Sequence, residues 1–277
     1  MNDKKQVLKK YLKLPGRLKA IEKSGIITLD YDDILYPFSE CFKKMLIEKN
    51  LMTSNASLEN LHTSLDQKDK EVDIYGFNNV TRSTYETNDE FKSIYARFMQ
   101  EVVVPFIGED SYIQKTPTNR FSFPFSDGVN SRFFHTDIML GHPPSEINIW
   151  LPLTKTEITR SFKILPLSLS LELIETYNYD LEELENKILT DDDLYSLIKK
   201  NSFYVDLMPG QCLIFDSKCL HGVRKNKSSY ARISMDSRLI TKVDYDNLPY
   251  EFVGSKGTKR QSKFMPGDYY DSSLIKI

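Results

Sequence analysis

Hydrophobic residues recur at helical spacing through much of the first hundred residues. In segment 33–50 the apolar side chains lie three or four positions apart. Segment 88–106 repeats this pattern and opens with Asn88, a residue type that caps helix N-termini. A short apolar run at 26–29 predicts one strand between the helices. The part of the chain from 1 to 115 is therefore predicted to be mainly helical.

Beyond this part the pattern changes to short runs of the kind that form strands. These runs are 120–125, 132–137, 146–151, 203–207, 211–215 and 231–240. Ser126-Asp127-Gly128 and Met208-Pro209-Gly210 are turn sequences, and the second is predicted to join neighbouring antiparallel strands. Many short strands with few helices between them favour an antiparallel sandwich or barrel over a parallel sheet.

One helical stretch interrupts the series of strands. Residues 168–201 combine helical periodicity with many acidic side chains, and we predict an insertion into a β core that spans 116–243. The tail, 244–277, is polar with scattered aromatic residues, and it is either a lid or a loose end. Aromatic residues around a Pro-Gly turn at 264–270 are expected to approach and cover a pocket. One domain over 1–277 is predicted.

Composition and charge narrow the classes of partner. With 37 basic and 39 acidic residues the net charge is -2, which gives no reason to expect a nucleic-acid or membrane partner. The basic N-terminal stretch carries leucines at helical spacing and is predicted to be a solvated amphipathic helix. Three cysteines are too few for a disulfide framework, and no segment has the pattern of a signal or membrane span. A cytoplasmic protein is expected, with its oligomeric state open.

The candidate chemistry centres on two of the four histidines. His135 and Asp137 are two positions apart on a predicted strand, so both side chains should lie on the same face. Such a tripeptide arises readily by chance, and a third ligand is needed. His221, which follows the predicted strand at 211–215, is the candidate. Two histidines and one carboxylate leave coordination positions open, an arrangement that non-haem Fe(II) oxygenases use.

An arginine and a serine strengthen this interpretation. Arg232 and Ser234 lie on one face of the last predicted strand, eleven and thirteen residues after His221. A buried guanidinium needs an anion, and the distal carboxylate of 2-oxoglutarate would bind it through two hydrogen bonds. The alternative is a structural salt bridge. Arg238 shares this face and is the competing candidate. It is also a possible substrate contact, at a position that equally suits a structural pair with Asp236 or Asp216.

Four further side chains are candidates for the pocket. Asn148 alternates with apolar neighbours and could bind the co-substrate or the substrate. Trp150 lies on the same face, where packing is the alternative role. His142 lies in a Pro-rich loop, where it either shapes the substrate pocket or is exposed. Arg120, on the first strand of the β region, is a further candidate for contacting substrate.

These residues together resemble the Fe(II)/2-oxoglutarate-dependent oxygenases. More narrowly, several stretches look like the sporadically distributed oxygenases related to a streptomycin-biosynthesis protein. They are HTDIMLGHPPSEINIWLPLT at 135–154, His221-Gly222, Asn226, RISMDSR at 232–238 and PGDYY at 266–270. The resemblance covers roughly 120–270. It implies a mainly β fold with helical elaboration, whose core is a double-stranded β-helix, the jelly-roll of cupin-like proteins.

The same resemblance implies cofactors and a reaction. It assigns Fe(II) to His135, Asp137 and His221, and 2-oxoglutarate to Arg232, Ser234 and Asn148, with O2 as the second co-substrate. Hydroxylation of a small polar metabolite or a sugar-containing biosynthetic intermediate is expected. Two alternatives stay open: a non-redox cupin-like metalloprotein, such as a zinc or manganese isomerase or hydrolase, and a metal-free small-molecule binding module.

Overall fold

The computed structural model describes residues 2–12, 18, 23–64, 74–124, 134–249 and 264–277. Within these ranges two antiparallel sheets form the centre of the protein. One sheet has the strand order β1-β7-β4-β9-β2, with β3 also paired to β9, and the other has the order β6-β5-β8. The strands are β1 Ile26–Asp30, β2 Ser111–Ile113, β3 Thr118–Ser122, β4 Ile147–Pro152, β5 Phe162–Ile164, β6 Phe203–Tyr204, β7 Gln211–Asp216, β8 His221–Val223 and β9 Arg232–Thr241.

Helices make up most of the N-terminal part of the chain. They are α1 Asn2–Leu12, which precedes β1, and α2 Phe38–Glu48, α3 Leu61–Ser64, α4 Ile74–Thr87, α5 Asp89–Phe98 and α6 Val104–Ile107, which follow it, with a π-helical turn at Met99–Val103. The helices after β1 pack on the outer face of the larger sheet, whereas Leu8 and Leu12 of α1 belong to a different core. Phe42, Phe98 and Met99 form one buried core with Ile149 of β4 and Ile233 of β9. This packing gives β4 and β9 an apolar outer face, so their polar residues point to the opposite side.

Three further helices lie between β5 and β6, where helical periodicity predicted them. They are α7 Leu167–Thr176, α8 Leu181–Thr190 and α9 Asp192–Asn201. Asp180 and Asp191 cap α8 and α9 through hydrogen bonds to backbone amides. Two of the acidic residues of this stretch are therefore helix caps. A final short helix, α10 Lys242–Asp246, follows β9. None of the described helices combines the length and apolar character required to span a bilayer.

Most predicted elements are confirmed, and the errors have identifiable causes. The helix predicted from residue 33 begins at Phe38, because Pro37 restricts the residue before it and Ile34 is exposed. The strand predicted at 120–125 is shifted toward the N-terminus, and that at 203–207 is reduced to two residues. The turn at 208–210 does not join neighbouring strands, since β6 and β7 belong to different sheets.

The segment that carries the histidine motif also differs from its prediction. His135 makes an isolated bridge, and Asp137 opens a 3-10 turn over Asp137–Leu140, so neither lies within a regular strand. The first residues of the predicted strand at 132–137, and the turn predicted at 126–128, lie outside the described residues. Of the tail, residues 264–277 are described. Tyr270 is fully buried there, so this part is not a loose end.

Candidate active site

A cavity of about 530 Å³ lies against the inner faces of both sheets. Polar side chains of β4 and β9 face it from the larger sheet, and β5 and β8 contribute aromatic and ring-bearing residues from the smaller one. The predicted site residues that line it are Arg120, His135, Asp137, His142, Asn148, Trp150, His221, Arg232 and Arg238. One cavity thus collects side chains from nearly the whole predicted β region.

Backbone contacts bring the two histidines and the aspartate together. The amides and carbonyls of His135 and His221 form reciprocal hydrogen bonds of 2.9 Å, and the Asp137 amide donates to Ser217 O at 3.0 Å. Side-chain ligand atoms of the three candidates then lie within 4.8 Å of one another. Asp137 Oδ1 is 3.9 Å from His135 Nε2 and 3.6 Å from His221 Nε2. Such a group of ligand atoms could hold one metal ion.

The charge states of this group suit a cation. Burial lowers the pKa of His135 well below its usual value, and the neighbouring His221 ring adds to that shift, so the imidazole is neutral. Burial alone would raise the pKa of Asp137, but Arg238 and the nearby imidazoles hold it well below its ordinary range. The oxygen Asp137 Oδ1 is buried without a hydrogen-bond partner in the described part of the chain. A neutral imidazole and a bare carboxylate oxygen are donors that a divalent metal accepts.

Arg232 is a buried cation with an incomplete set of partners. Its side chain donates from Nη1 to Ser234 Oγ at 2.8 Å, while Nε has no hydrogen-bond partner among the described residues. Burial lowers its pKa to about 10, against a weaker opposing effect of Asp236. Asn148 is comparable, since neither atom of its buried amide makes a hydrogen bond within the described chain. Unsatisfied buried groups that face a cavity suit a polar ligand.

Both aromatic and charged side chains line the cavity. Trp150 packs edge-to-face on Phe162, with ring centroids 5.0 Å apart, and Phe215 contributes a third ring. Arg120 donates from Nε to Asp236 Oδ2 at 2.8 Å, and its side chain is about half exposed. Trp150 therefore does both things that were considered for it: it packs in the interior and it lines the cavity.

His142 is buried in a polar network rather than exposed in a loop. Its Nδ1 is hydrogen-bonded to the carboxylate of Glu146, which also accepts a hydrogen bond of 2.5 Å from the Tyr270 hydroxyl. Burial lowers the pKa of His142 to about 4, against the opposing charge of Glu146. The ring centroids of Phe264 and Tyr269 lie 5.4 Å and 6.0 Å from that of His142.

This network changes two expectations drawn from the sequence. The aromatic residues of 264–270 were expected to cover a pocket. Among the described residues they do not line the cavity but pack behind His142, which does. Glu146 was not predicted as a site residue. The sequence offers a weak signal for it, because His142 and Glu146 are four residues apart, but nothing in that spacing indicates the contact with Tyr270.

Arg238 lies closer to the metal candidates than the sequence suggested. Its Nε donates to Asp137 Oδ2 at 2.8 Å, so its partner is neither Asp236 nor Asp216. Asp216 is instead paired with Lys218 at 2.7 Å. Arg238 is therefore not a remote residue of the strand face, because it contacts a candidate ligand directly.

Comparisons with known proteins complete this description. No protein-family model matches the chain. It is similar to the streptomycin biosynthesis protein StrG of Streptomyces griseus, with 22% identity over 250 residues, covering 88% of this chain and 96% of StrG. Among solved structures it is similar to the non-haem α-ketoglutarate-dependent carbocyclase SnoK from nogalamycin biosynthesis, with 11% identity, a TM-score of 0.49, and coverage of 78% of this chain and 79% of SnoK. EctD from S. alaskensis matches with 14% identity and a TM-score of 0.46, over 86% of this chain and 78% of EctD. The resemblance to a streptomycin-biosynthesis-related group is thus confirmed by the similarity to StrG.

Proposed function

We propose that the protein is an Fe(II)- and 2-oxoglutarate-dependent oxygenase. One observation carries the proposal: the ligand atoms of His135, Asp137 and His221 lie within 4.8 Å of one another on a cavity that also contains the buried Arg232. The donor set of two imidazoles and one carboxylate fits non-haem iron with positions left open. The fold is proposed to be a double-stranded β-helix, and the chain one domain, with 1–115 and 168–201 as helical additions and 244–277 as a C-terminal extension.

The environment of Arg232 favours this reaction class over a metal site without a co-substrate. A guanidinium buried to 2% exposure is costly unless an anion accompanies it. Within the described chain its hydrogen bond goes to a neutral serine, and the carboxylate of Asp236 makes its hydrogen bond through Oδ2 to Arg120 rather than to Arg232. A dicarboxylate with one end at the metal and the other at Arg232 would complete both sets of partners. We propose that Asn148 and Ser234 bind it as well: Asn148 lines the cavity, while Ser234 does not line it and contacts Arg232.

The residues of the chain would divide the work as follows. The two histidines and Asp137 hold the iron, and Arg232 fixes the far carboxylate of the co-substrate. With iron bound, 2-oxoglutarate and O2 convert a substrate C–H to C–OH with release of succinate and CO2. Trp150 and Phe162 keep water from one side of the cavity, which strengthens electrostatic contacts inside it. Arg120 and His142 line the cavity where a substrate would lie, and we assign them to substrate recognition.

We further propose that the substrate is a small polar metabolite or a sugar-containing biosynthetic intermediate. A cavity lined by both aromatic and charged side chains suits a molecule with one apolar face and many hydroxyl or amine groups. The similarity to a streptomycin biosynthesis protein supports the same class. The same three metal ligands would also serve desaturation, epimerisation or ring closure.

The experiment is an anaerobic titration of the protein with Fe(II) and 2-oxoglutarate, followed by succinate measurement in air with a panel of polar metabolites. We expect a weak visible charge-transfer band and substrate-stimulated succinate release. His135→Ala combined with His221→Ala should abolish both, while His62→Ala, a histidine of α3 outside the cavity, should change neither. Metal-dependent turnover without succinate would instead support the zinc or manganese alternative.

A further inference from the structure

The two oxygens of the Asp137 carboxylate have different surroundings. Oδ1 faces the histidines, at 3.6 Å from His221 Nε2 and 3.9 Å from His135 Nε2. Oδ2 points away from them and accepts a hydrogen bond of 2.8 Å from Arg238 Nε. Because a carboxylate can otherwise rotate and offer either oxygen or both, this contact selects Oδ1 as the atom available to a metal.

Arg238 is itself held rigidly in the sheet. It lies on β9 opposite Asn148 of β4, in the best-connected part of the larger sheet, and its side chain is 7% exposed. Its Nη1 is 3.5 Å from Gln114 Oε1. Gln114 is fixed in turn, since its Nε2 donates to Thr116 O at 2.6 Å. An arginine held at several atoms can orient the group it binds more strictly than a free surface side chain.

The described C-terminal segment supplies the layer behind this arginine. The Tyr269 hydroxyl donates to Gln114 Oε1 at 3.1 Å, and Tyr270 donates to Glu146, whose Oε2 lies 3.9 Å from Arg238 Nε. These contacts form two short chains from the tyrosines to Arg238 and on to Asp137. The segment therefore contributes to the metal site without lining the cavity.

We propose that Arg238 is a positioning residue of the metal centre, which fixes Asp137 so that one carboxylate oxygen alone faces the metal. The inference rests on the proposed function, because it takes the three residues to be metal ligands. It separates the two arginines of the same strand face: Arg232 acts on the co-substrate and Arg238 acts on a ligand of the metal. Partners of metal ligands commonly change metal affinity by about 10–100-fold when they are replaced.

The test compares Arg238→Lys, Arg238→Gln and Tyr269→Phe with the wild type by anaerobic Fe(II) and Co(II) binding. Lysine keeps the positive charge but cannot reproduce the guanidinium geometry, so a loss in that variant comes from orientation. We expect Arg238→Lys to bind either metal about 10–100-fold more weakly, with an altered visible spectrum of the Co(II) form. Tyr269→Phe should show a smaller loss in the same direction. At saturating iron, the affinity for 2-oxoglutarate should change by less than about threefold, because a substitution away from the co-substrate affects its binding only indirectly.

Arg160→Gln is the matched control, because Arg160 is also a buried arginine paired with glutamates but lies outside the cavity. It should lower thermal stability and leave the Co(II) spectrum and affinity unchanged. If Arg238→Lys and Arg238→Gln bind metal as the wild type does, the inference is wrong. If they lose 2-oxoglutarate binding instead, Arg238 is a co-substrate residue. A wild-type protein that neither binds Fe(II) nor releases succinate would refute the proposed function itself, which is a different outcome.

Discussion

Replacing Arg232 by methionine should weaken 2-oxoglutarate binding and leave the fold intact. The side chain is buried, and within the described chain its hydrogen bond is made to Ser234. Losing one partner of a buried, hydrogen-bonded charge pair costs about 2–5 kcal/mol. The dissociation constant for 2-oxoglutarate should therefore rise by about 30-fold to several thousandfold. Iron affinity should be retained, because Arg232 has no contact with the three candidate ligands among its described hydrogen bonds.

The same substitution has an opposite expected effect on stability. Without a co-substrate Arg232 is a desolvated cation, as its lowered pKa indicates, and methionine fills a similar volume without that penalty. The free energy of unfolding of the metal-free protein should stay the same or rise by up to about 4 kcal/mol. Urea unfolding measures this, and anaerobic titration of the Fe(II)-loaded protein measures co-substrate affinity. Lower stability together with unchanged 2-oxoglutarate binding would show that Arg232 is a structural partner of Asp236.

Two further results are expected. Tyr270→Phe removes a donor from the buried carboxylate of Glu146 and should lower the free energy of unfolding by about 1–3 kcal/mol, whereas Tyr112→Phe, at a partly buried position of β2, should change it little in the same denaturation assay. The metal-free protein should lose stability in acid, because His135 and His142 have lowered pKa values in the folded state. Below pH about 6.5 these two histidines bind protons in the unfolded chain but stay neutral in the folded one, so acid favours unfolding. Between pH 6 and 5 the free energy of unfolding should fall by about 1–3 kcal/mol per pH unit, and by roughly half as much in His142→Gln. A free energy of unfolding that is constant or higher at pH 5 would contradict this prediction.

Much of the fold could be predicted because hydrophobic period and turn chemistry act locally. Helix α5 begins after Asn88, whose side-chain oxygen accepts a hydrogen bond of 2.8 Å from the backbone amide of Phe91. This capping signal lies within four residues of the sequence and can be recognised locally. The strands β4 and β9 are also visible in alternation, since one face of each packs on the helical core, and β7 is visible as a short apolar run. The antiparallel pairing was also predicted, but one prediction about which strands are neighbours was wrong. The turn at 208–210 links strands of two different sheets, and no local pattern records which partner a strand takes.

The three candidate metal ligands do lie together, but not because of the strand alternation from which two of them were predicted. The alternation argument assumed that His135 and Asp137 lie on one strand, whereas Asp137 opens a 3-10 turn. The two side chains nevertheless converge, because the His135 backbone pairs with that of His221 and Thr136 caps the turn. Residue types and chain order therefore identified the group, and the backbone that assembles it could only be seen in the folded protein.

The two arginines of β9 show most clearly where sequence reasoning stops. Arg232 and Arg238 lie on the same face of one strand, so periodicity treats them alike. Their chemistry differs because of what approaches from other parts of the chain: the turn at Asp137 brings a carboxylate to Arg238, and the described residues around Arg232 bring a hydroxyl. An arginine that already has its carboxylate is available for orienting it, and one buried without such a contact is suited to an incoming anion. Exchanging the two roles would require 2-oxoglutarate to displace Asp137 from Arg238. That displacement would free the oxygen that now faces away from the histidines, so the candidate ligand would lose its fixed orientation when the co-substrate binds.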